Sequence, residues 1–378
     1  MSSEQHGFID SDSHILEPDD IWEKYLDPEF RDEMPRTRCW YEGEQMGFGF
    51  EIEVGGYHMP IGVPRMLTVL PGLPGAYAEY ARQGFPPHIY KTAMERVGME
   101  YMVAYPTVGL YVTAAPTLKA ATAAAYRRAY NRWLHDFCGQ AGPRLLGAGS
   151  LDLRDPEEAA REATRCVKEY GFKAFHINPA PVGGRHLYDS CFDRLWATIS
   201  DLDVPVGVHV SAYNAADPML QDYLPGLPSA QAVMAFSIGN MIASAGFIVG
   251  GVLERHPKLR VVHLESGAGW AAFWLDRLKA GLMGGFREID IPGLRLHPIE
   301  YFQRQCYIAA DTDDPGIKQV IDVMGDDNIV LSTDFGHPEG WKYTRAVEEL
   351  MEIPGVPISS KRKIMWDNAL KLHALAPG

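Results

Sequence analysis

At 378 residues, with 46% hydrophobic and 22% charged side chains, the chain has a soluble globular balance and length for two ordinary domains or one α/β barrel with insertions. A formal net charge of −14 argues against a nucleic-acid partner and against docking on an anionic membrane, since both would repel it, but leaves room for a small anionic substrate. Five widely spaced cysteines (Cys39, Cys138, Cys166, Cys191, Cys306) without a CxxC pair, no apolar signal core and no bilayer-length apolar run predict reduced thiols and a cytoplasmic address.

The first strand is expected over residues 7–14, "GFIDSDSH". The stretch from Pro18 to about Pro87 is rich in Pro, Gly and aromatic residues, and "GFGFEIEVGGYHMPIG" within it resembles a small hairpin. It reads as an insertion at 18–90 that covers a barrel mouth or packs against a partner subunit. Strands then follow at 101–107 ("YMVAYPT"), 144–153, 172–179, 204–211, 259–266, 305–311 and 328–334.

Helical patterns separate most of these strands: 119–140, 155–171, "CFDRLWATISDL", Gln231 to His256, "WAAFWLDRLKAG" and "PGIKQVIDVMG", with a last helix at 359–375. In the second of them Asp155 is the expected N-cap, Pro156 the first helical residue and Gly171 the stop. Alternating β and α segments call for a parallel sheet. Eight such units predict a single α/β domain over 1–378, a (β/α)8 TIM barrel with an insertion after the first strand. An open doubly wound sheet is the alternative; polar residues at many strand ends favour the barrel.

Residues two apart on a strand face one side, so Asp12 and His14 point together into the mouth, with Asp10 facing the same way but deeper and Glu17 just beyond in the loop. A helix-capping, loop-polar cluster would look similar. Three further strand ends weigh against it. His209 stands alone in "VGVHVS", His263 and Glu265 share a face of "VVHLESGAG", and Asp334 closes "IVLSTD" with His337 in the loop behind. An acid closing an apolar strand is costly unless a cation meets it, and neutral imidazole is the commonest metal ligand. His176 either lines the pocket or packs in the core; His186 is a substrate contact or merely exposed; His256 suits a helix C-terminus. His58 and His88 receive no role. The glycines of "ESGAGW" do not fit GxGxxG and read as a tight turn into a helix whose N-terminus can help hold an anion.

In order and spacing, "IDSDSHILEP", "GFKAFHINPA", "PVGVHVS", "ERHPKLRVVHLESGAGW" and "VMGDDNIVLSTDFGHPEG" resemble the amidohydrolase superfamily, in its amidohydrolase-2 or aminocarboxymuconate-semialdehyde decarboxylase-like branch. The resemblance implies a (β/α)8 barrel binding one divalent metal, often zinc, at its mouth. It places the metal ligands on Asp12, His14, His209 and Asp334. It places the histidine of the family's glycine-rich turn on Glu265, and a carboxylate-recognising arginine on Arg277. Two departures stand out. Asp12 replaces a histidine; Zn²⁺ stays the first expectation, but the oxygen donor strengthens the case for Mn²⁺, Fe²⁺ or Mg²⁺, and Glu17 or Glu265 is the alternative ligand in its place. Glu265, when ionised, cannot donate a hydrogen bond as a protonated histidine can.

The leading expectation is therefore a metal-dependent hydrolase of a small aromatic or carboxylated substrate. Asp334 or Glu265 would take a proton from metal-activated water, with His176, Arg277 and His337 contacting substrate. The alternative is a non-oxidative decarboxylase using the same metal, against which the replaced turn histidine counts. A non-catalytic ligand-binding barrel is the reading of another class. By resemblance, a homodimer is expected.

Overall fold

The computed structural model describes residues 7–42, 47–59, 75–112, 115, 117–209, 223–282 and 294–376. Strand β1 (Phe8–Ile15) is buried along its whole length. After it, β2 (Arg36–Glu42), β3 (Gly47–Val54) and β4 (Tyr57–Met59) form a separate antiparallel sheet in that order. Gly55 and Gly56 both take positive φ in the two-residue turn between β3 and β4, as a right-twisting hairpin requires. The tail of the expected hairpin, residues 60–62, lies outside the described residues.

Seven further strands run parallel to β1: β5 (Met99–Pro106), β6 (Leu145–Ser150), β7 (Ala174–Ile177), β8 (Val206–Val208), β9 (Val261–His263), β10 (Cys306–Asp311) and β11 (Ile329–Ser332). Their spatial order follows the chain, β1-β5-β6-β7-β8-β9-β10-β11. The ring closes just past β11, where Asp334 N–H donates to the Asp12 carbonyl at 3.1 Å and His14 N–H donates to the Phe335 carbonyl at 2.6 Å. Eight parallel strands with surrounding helices make the expected (β/α)8 barrel.

The inner face is filled by Ile9, Val103, Tyr105, Leu146, Ala148, Ala174, Val262, Leu264, Tyr307, Ala309 and Val330, a packed core rather than a pore. Gly207 is small because it must be: a Cβ there would lie 2.8 Å from the Tyr105 ring and 2.9 Å from Leu264. Ala369 and Leu372 of the C-terminal helical stretch join the same cluster and close it. That stretch, expected as one helix, winds through Ile358–Arg362, a wider π turn at Lys363–Asp367, and Asn368–Leu372. Asp155 caps Pro156–Lys168 as expected, accepting from the Glu157 and Glu158 N–H groups. Gly251 at φ 77° splits the helix expected to reach His256 into Pro228–Ile248 and Val252–Arg255. Among the described residues, no helix is long and apolar enough to cross a membrane.

His373 ends the last helix, fully buried, and burial pushes its pKa down to about 4. The unfolded chain takes a proton on this imidazole near the ordinary 6.5, while the folded chain refuses it until about 4. Stability is therefore lost as pH falls through that window, at up to about 1.4 kcal/mol per pH unit from this group. Urea unfolding from pH 7 to 4 should give a shallower decline in His373→Gln than in the parent; parallel declines would refute the assignment.

Candidate metal centre

The two residues of β1 that matter most are placed by an irregularity. Asp10 pairs with Met102 and Ser13 with Ala104, three residues against two, so a bulge reverses the side-chain alternation between them. Beyond the bulge, Asp12 and His14 point into the mouth. Before it, Asp10 does not share their side, contrary to simple alternation. Its carboxylate accepts from Ser13 Oγ at 2.5 Å, from Thr333 N–H at 3.1 Å and from the Thr333 hydroxyl, which fastens β1 to the chain leaving β11.

His14 is fully buried, with Nδ1 2.8 Å from the Pro106 carbonyl. A carbonyl only accepts, so Nδ1 carries the hydrogen and Nε2 presents its lone pair, the tautomer a metal ligand needs. Around Nε2 stand His209 Nε2 at 3.2 Å, Asp334 Oδ1 at 3.3 Å, and Asp12 Oδ1 and Glu265 Oε2 at 3.9 Å each. His209, the first residue past β8, is also fully buried, and Glu265 Oε2 lies 2.9 Å from its Nε2. His337 stacks on His14 at 3.8 Å, brings Nδ1 to 3.0 Å from Asp334 Oδ1, and meets Thr107 Oγ1 through Nε2 at 3.1 Å. Two overlapping groups result, each with ligand atoms mutually within 4.8 Å: His14, Glu265, Asp334 and His337, and Asp12, His14 and His209.

The backbone is bent to achieve this. Glu265 at φ 43° and Asp334 at φ 53° both occupy the left-handed region, sparsely populated by non-glycine residues and a mark of functional sites. The Glu265 N–H donates to Asp12 Oδ2 at 3.2 Å, orienting that carboxylate.

Electrostatically the cluster is dominated by buried carboxyl groups. Burial raises the Asp12 carboxyl well above its usual range, and the Asp334 and Glu265 charges raise it further. Asp334 is raised likewise by burial and then by Glu265, and burial pushes Glu265 up to about 8. His14 is pushed well down by burial, then by His337 and His209. Among the described residues, buried Asp12 Oδ1 has no hydrogen-bond partner. A divalent cation answers each of these features. The donors also suit one: bonds of about 2.1 Å put neighbouring ligand atoms about 3.0–3.4 Å apart, close to the 2.9–3.3 Å seen for the tighter contacts.

Other sequence candidates lie apart from this cluster. Glu17 is turned away, accepting the backbone N–H groups of Thr107, Val108 and Gly109 at 3.1, 2.9 and 2.9 Å. His176 is fully buried on β7, with Nδ1 2.8 Å from Ser150 Oγ and its ring 6.2 Å from that of His209. Arg277 is exposed and lines a surface groove of about 280 Å³ with Trp274, Leu278, Ala245 and Val249. His263 points away from the barrel interior, held to Asn240 at 2.9 Å and stacked on Phe302. His186 pairs loosely with Asp189, and His256 ends its helix 3.0 Å from Asp193. Two contributors were not anticipated: the Pro106 carbonyl, which sets the His14 tautomer, and Thr107 beside His337. The "YPT" ending of β5 carried the only signal, a hydroxyl closing an apolar strand.

A family model described as Amidohydrolase matches residues 9–375. The chain belongs to the amidohydrolase family. The chain is 25% identical over 238 residues to 2-amino-3-carboxymuconate-6-semialdehyde decarboxylase of Dictyostelium discoideum, and the alignment spans 62% of each chain. Among solved structures it resembles an amidohydrolase of Mycobacterium avium subsp. paratuberculosis, with TM-score 0.76 and 25% identity, covering 97% of this chain and 99% of that one. It also shares the fold of 5-carboxyvanillate decarboxylase of Novosphingobium aromaticivorans, solved with manganese and 4-hydroxy-3-methoxy-5-nitrobenzoic acid. That match has TM-score 0.69 and 21% identity, over 99% of this chain and 98% of the other.

Proposed function

We propose that this amidohydrolase is a metal-dependent, non-oxidative carboxy-lyase acting on a small aromatic or muconate-type carboxylate. The observation that carries the reading is the convergence on His14 Nε2 of donors from β1 and from the turns just past β8, β9 and β11. Asp12, His14, His209 and Asp334 would hold one divalent ion, and the oxygen-rich set suits Mn²⁺ better than Zn²⁺. Decarboxylases among the relatives, and manganese in one structural neighbour, support this choice over the hydrolase expected from sequence.

When bound, the ion supplies positive charge to the substrate carboxylate and a neighbouring oxygen. Glu265 sits where a proton is needed. It is 26% exposed at the mouth, whereas His14, His209, Asp12 and Asp334 are at most 9% exposed, so it can exchange protons with solvent. Its carboxyl, protonated from solvent, would deliver that proton to the carbon bearing the carboxylate; the C–C bond then breaks and CO₂ leaves. His337, stacked on His14, and Thr107 would bound the substrate on the opposite side. A cytoplasmic homodimer is the accompanying expectation.

A second reading, hydrolysis, draws on the 2.9 Å between Glu265 and His209, since an ionised Glu265 could take a proton from metal-activated water. Manganese-loaded protein should release CO₂ from 5-carboxyvanillate, hydroxybenzoates or carboxymuconate semialdehydes, and in D₂O leave one deuterium on the vacated carbon. Turnover of esters, amides or lactones with no CO₂ from any acid would replace the lyase with the hydrolase.

A further inference from the structure

The segment between β1 and β5 does more than lie over the barrel. From it, three tyrosine hydroxyls reach the backbone of His14 and of Gly336 and His337, in the turn that follows Asp334. Tyr90, on the helix Pro87–Val97, donates to the His14 carbonyl at 2.8 Å. Tyr77, on the helix Gly75–Arg82, donates to the His337 carbonyl at 2.6 Å and accepts from the Gly336 N–H at 2.9 Å. Tyr41, on β2, donates to the Gly336 carbonyl at 2.8 Å. The rings converge as well. Phe335, fully buried between Asp334 and Gly336, meets Tyr90 at 5.3 Å, Tyr77 at 5.5 Å, Phe85 at 5.5 Å and Tyr343 at 5.0 Å.

These contacts fall where the chain most needs holding. The turn from Asp334 to His337 has left the regular ladder, with Asp334 at φ 53° and Gly336 at φ 108°. Gly336 is pressed on β1 so closely that a Cβ would lie 2.3 Å from the His14 carbonyl. Its carbonyl and N–H need partners in a buried setting, while the His337 carbonyl also accepts from the Gly340 N–H at 3.1 Å. The tyrosines supply them, and Tyr90 fixes the opposite wall at His14.

We propose that Tyr41, Tyr77 and Tyr90 are positioning residues for the cation site, acting through the backbone to aim His14 and Asp334 at a common point. The inference rests on the metal-site reading above. Outer contacts of this kind set donor direction, and losing one lowers metal affinity by about 10–100-fold.

Cobalt(II) titration of the metal-free protein, read by visible absorption and equilibrium dialysis, tests it. Tyr77→Phe and Tyr90→Phe should each weaken binding by about 10-fold or more and alter the ligand-field bands. Tyr130→Phe is the control, because the buried Tyr130 hydroxyl has no hydrogen-bond partner among the described residues and its loss should leave both readouts unchanged. A second arm needs no metal: amide exchange across residues 334–337 should quicken at least about 10-fold in the Tyr41/Tyr77/Tyr90→Phe triple variant, with β6 and β7 unaffected. Wild-type affinity, spectrum and exchange in the variants would overturn the proposal. Should the parent bind no cobalt, or His209→Ala bind it equally well, the metal-site reading falls, and the exchange arm alone decides whether the tyrosines hold the turn.

Discussion

His209→Ala protein is expected to fold, to bind divalent metal at least about 100-fold more weakly than the parent, and to show no turnover above background. Folding should survive because β8 is held by its backbone: the His209 N–H donates to the Ile177 carbonyl at 3.2 Å whatever side chain follows. Binding should not survive. Outer contacts alone are worth about 10–100-fold in affinity, and an imidazole 3.2 Å from its partner nitrogen is positioned to bind the ion directly. Elemental analysis after dialysis against a weak chelator, with circular dichroism alongside, is the measurement. Stoichiometric metal in a folded His209→Ala protein would remove His209 from the donor set.

Glu17→Ala should cost about 3–5 kcal/mol of stability, since three buried backbone N–H groups lose their acceptor at about 1–3 kcal/mol each. The carboxylate is 4% exposed and receives three consecutive backbone N–H groups, with Thr107 and Gly109 on Oε1 and Val108 on Oε2. Those N–H groups begin a buried turn, and deleting the carboxylate removes the acceptor that all three share. Gly109 also has no room for a replacement, since a Cβ there would stand 2.9 Å from Glu17 Oε1. Glu17→Gln is the sharper variant. Its oxygen can serve Thr107 and Gly109, but its amide nitrogen would face the Val108 N–H, donor against donor, so an intermediate loss of about 1–3 kcal/mol follows. Chemical denaturation of both variants checks the order; equal, small losses would show that the turn finds other acceptors. Because Thr107 also touches His337, both variants should impair turnover too.

The barrel was legible because its signals are local: short apolar runs alternating with capped helices need only neighbours in sequence to be recognised. The convergence of Asp12, His14, His209 and Asp334 was legible for a related reason, since ionisable groups at the ends of apolar strands have nowhere to go but the mouth. What escaped depends on partners remote in sequence. Asp10 was expected beside Asp12, but the bulge before Ser13 turned it toward Thr333, and nothing in "FIDSDSH" announces a bulge. Glu17 looked like a spare ligand until the N–H groups some ninety residues on were seen to claim it. Arg277 is the ninth residue of the helix Gly269–Gly281, about 12 Å along it at 1.5 Å per residue, so the winding carries it to an exposed groove. The tyrosines between β1 and β5 act through hydroxyls on distant carbonyls, a role that composition cannot display.

The place where the barrel closes has a thermodynamic corollary. Among the described residues no continuous ladder joins β1 to β11; the junction relies on bonds of Asp10, Asp12 and His14 to the stretch from Ser332 to Phe335. An ion shared by His14 and Asp334 would rivet the two ends of the ring together, so emptying the site would unzip the cylinder there first. The holoprotein's resistance to heat would then track free cation, gaining about 4 kcal/mol at a concentration one thousand times the dissociation constant. Occupancy and architecture would be two readings of one equilibrium.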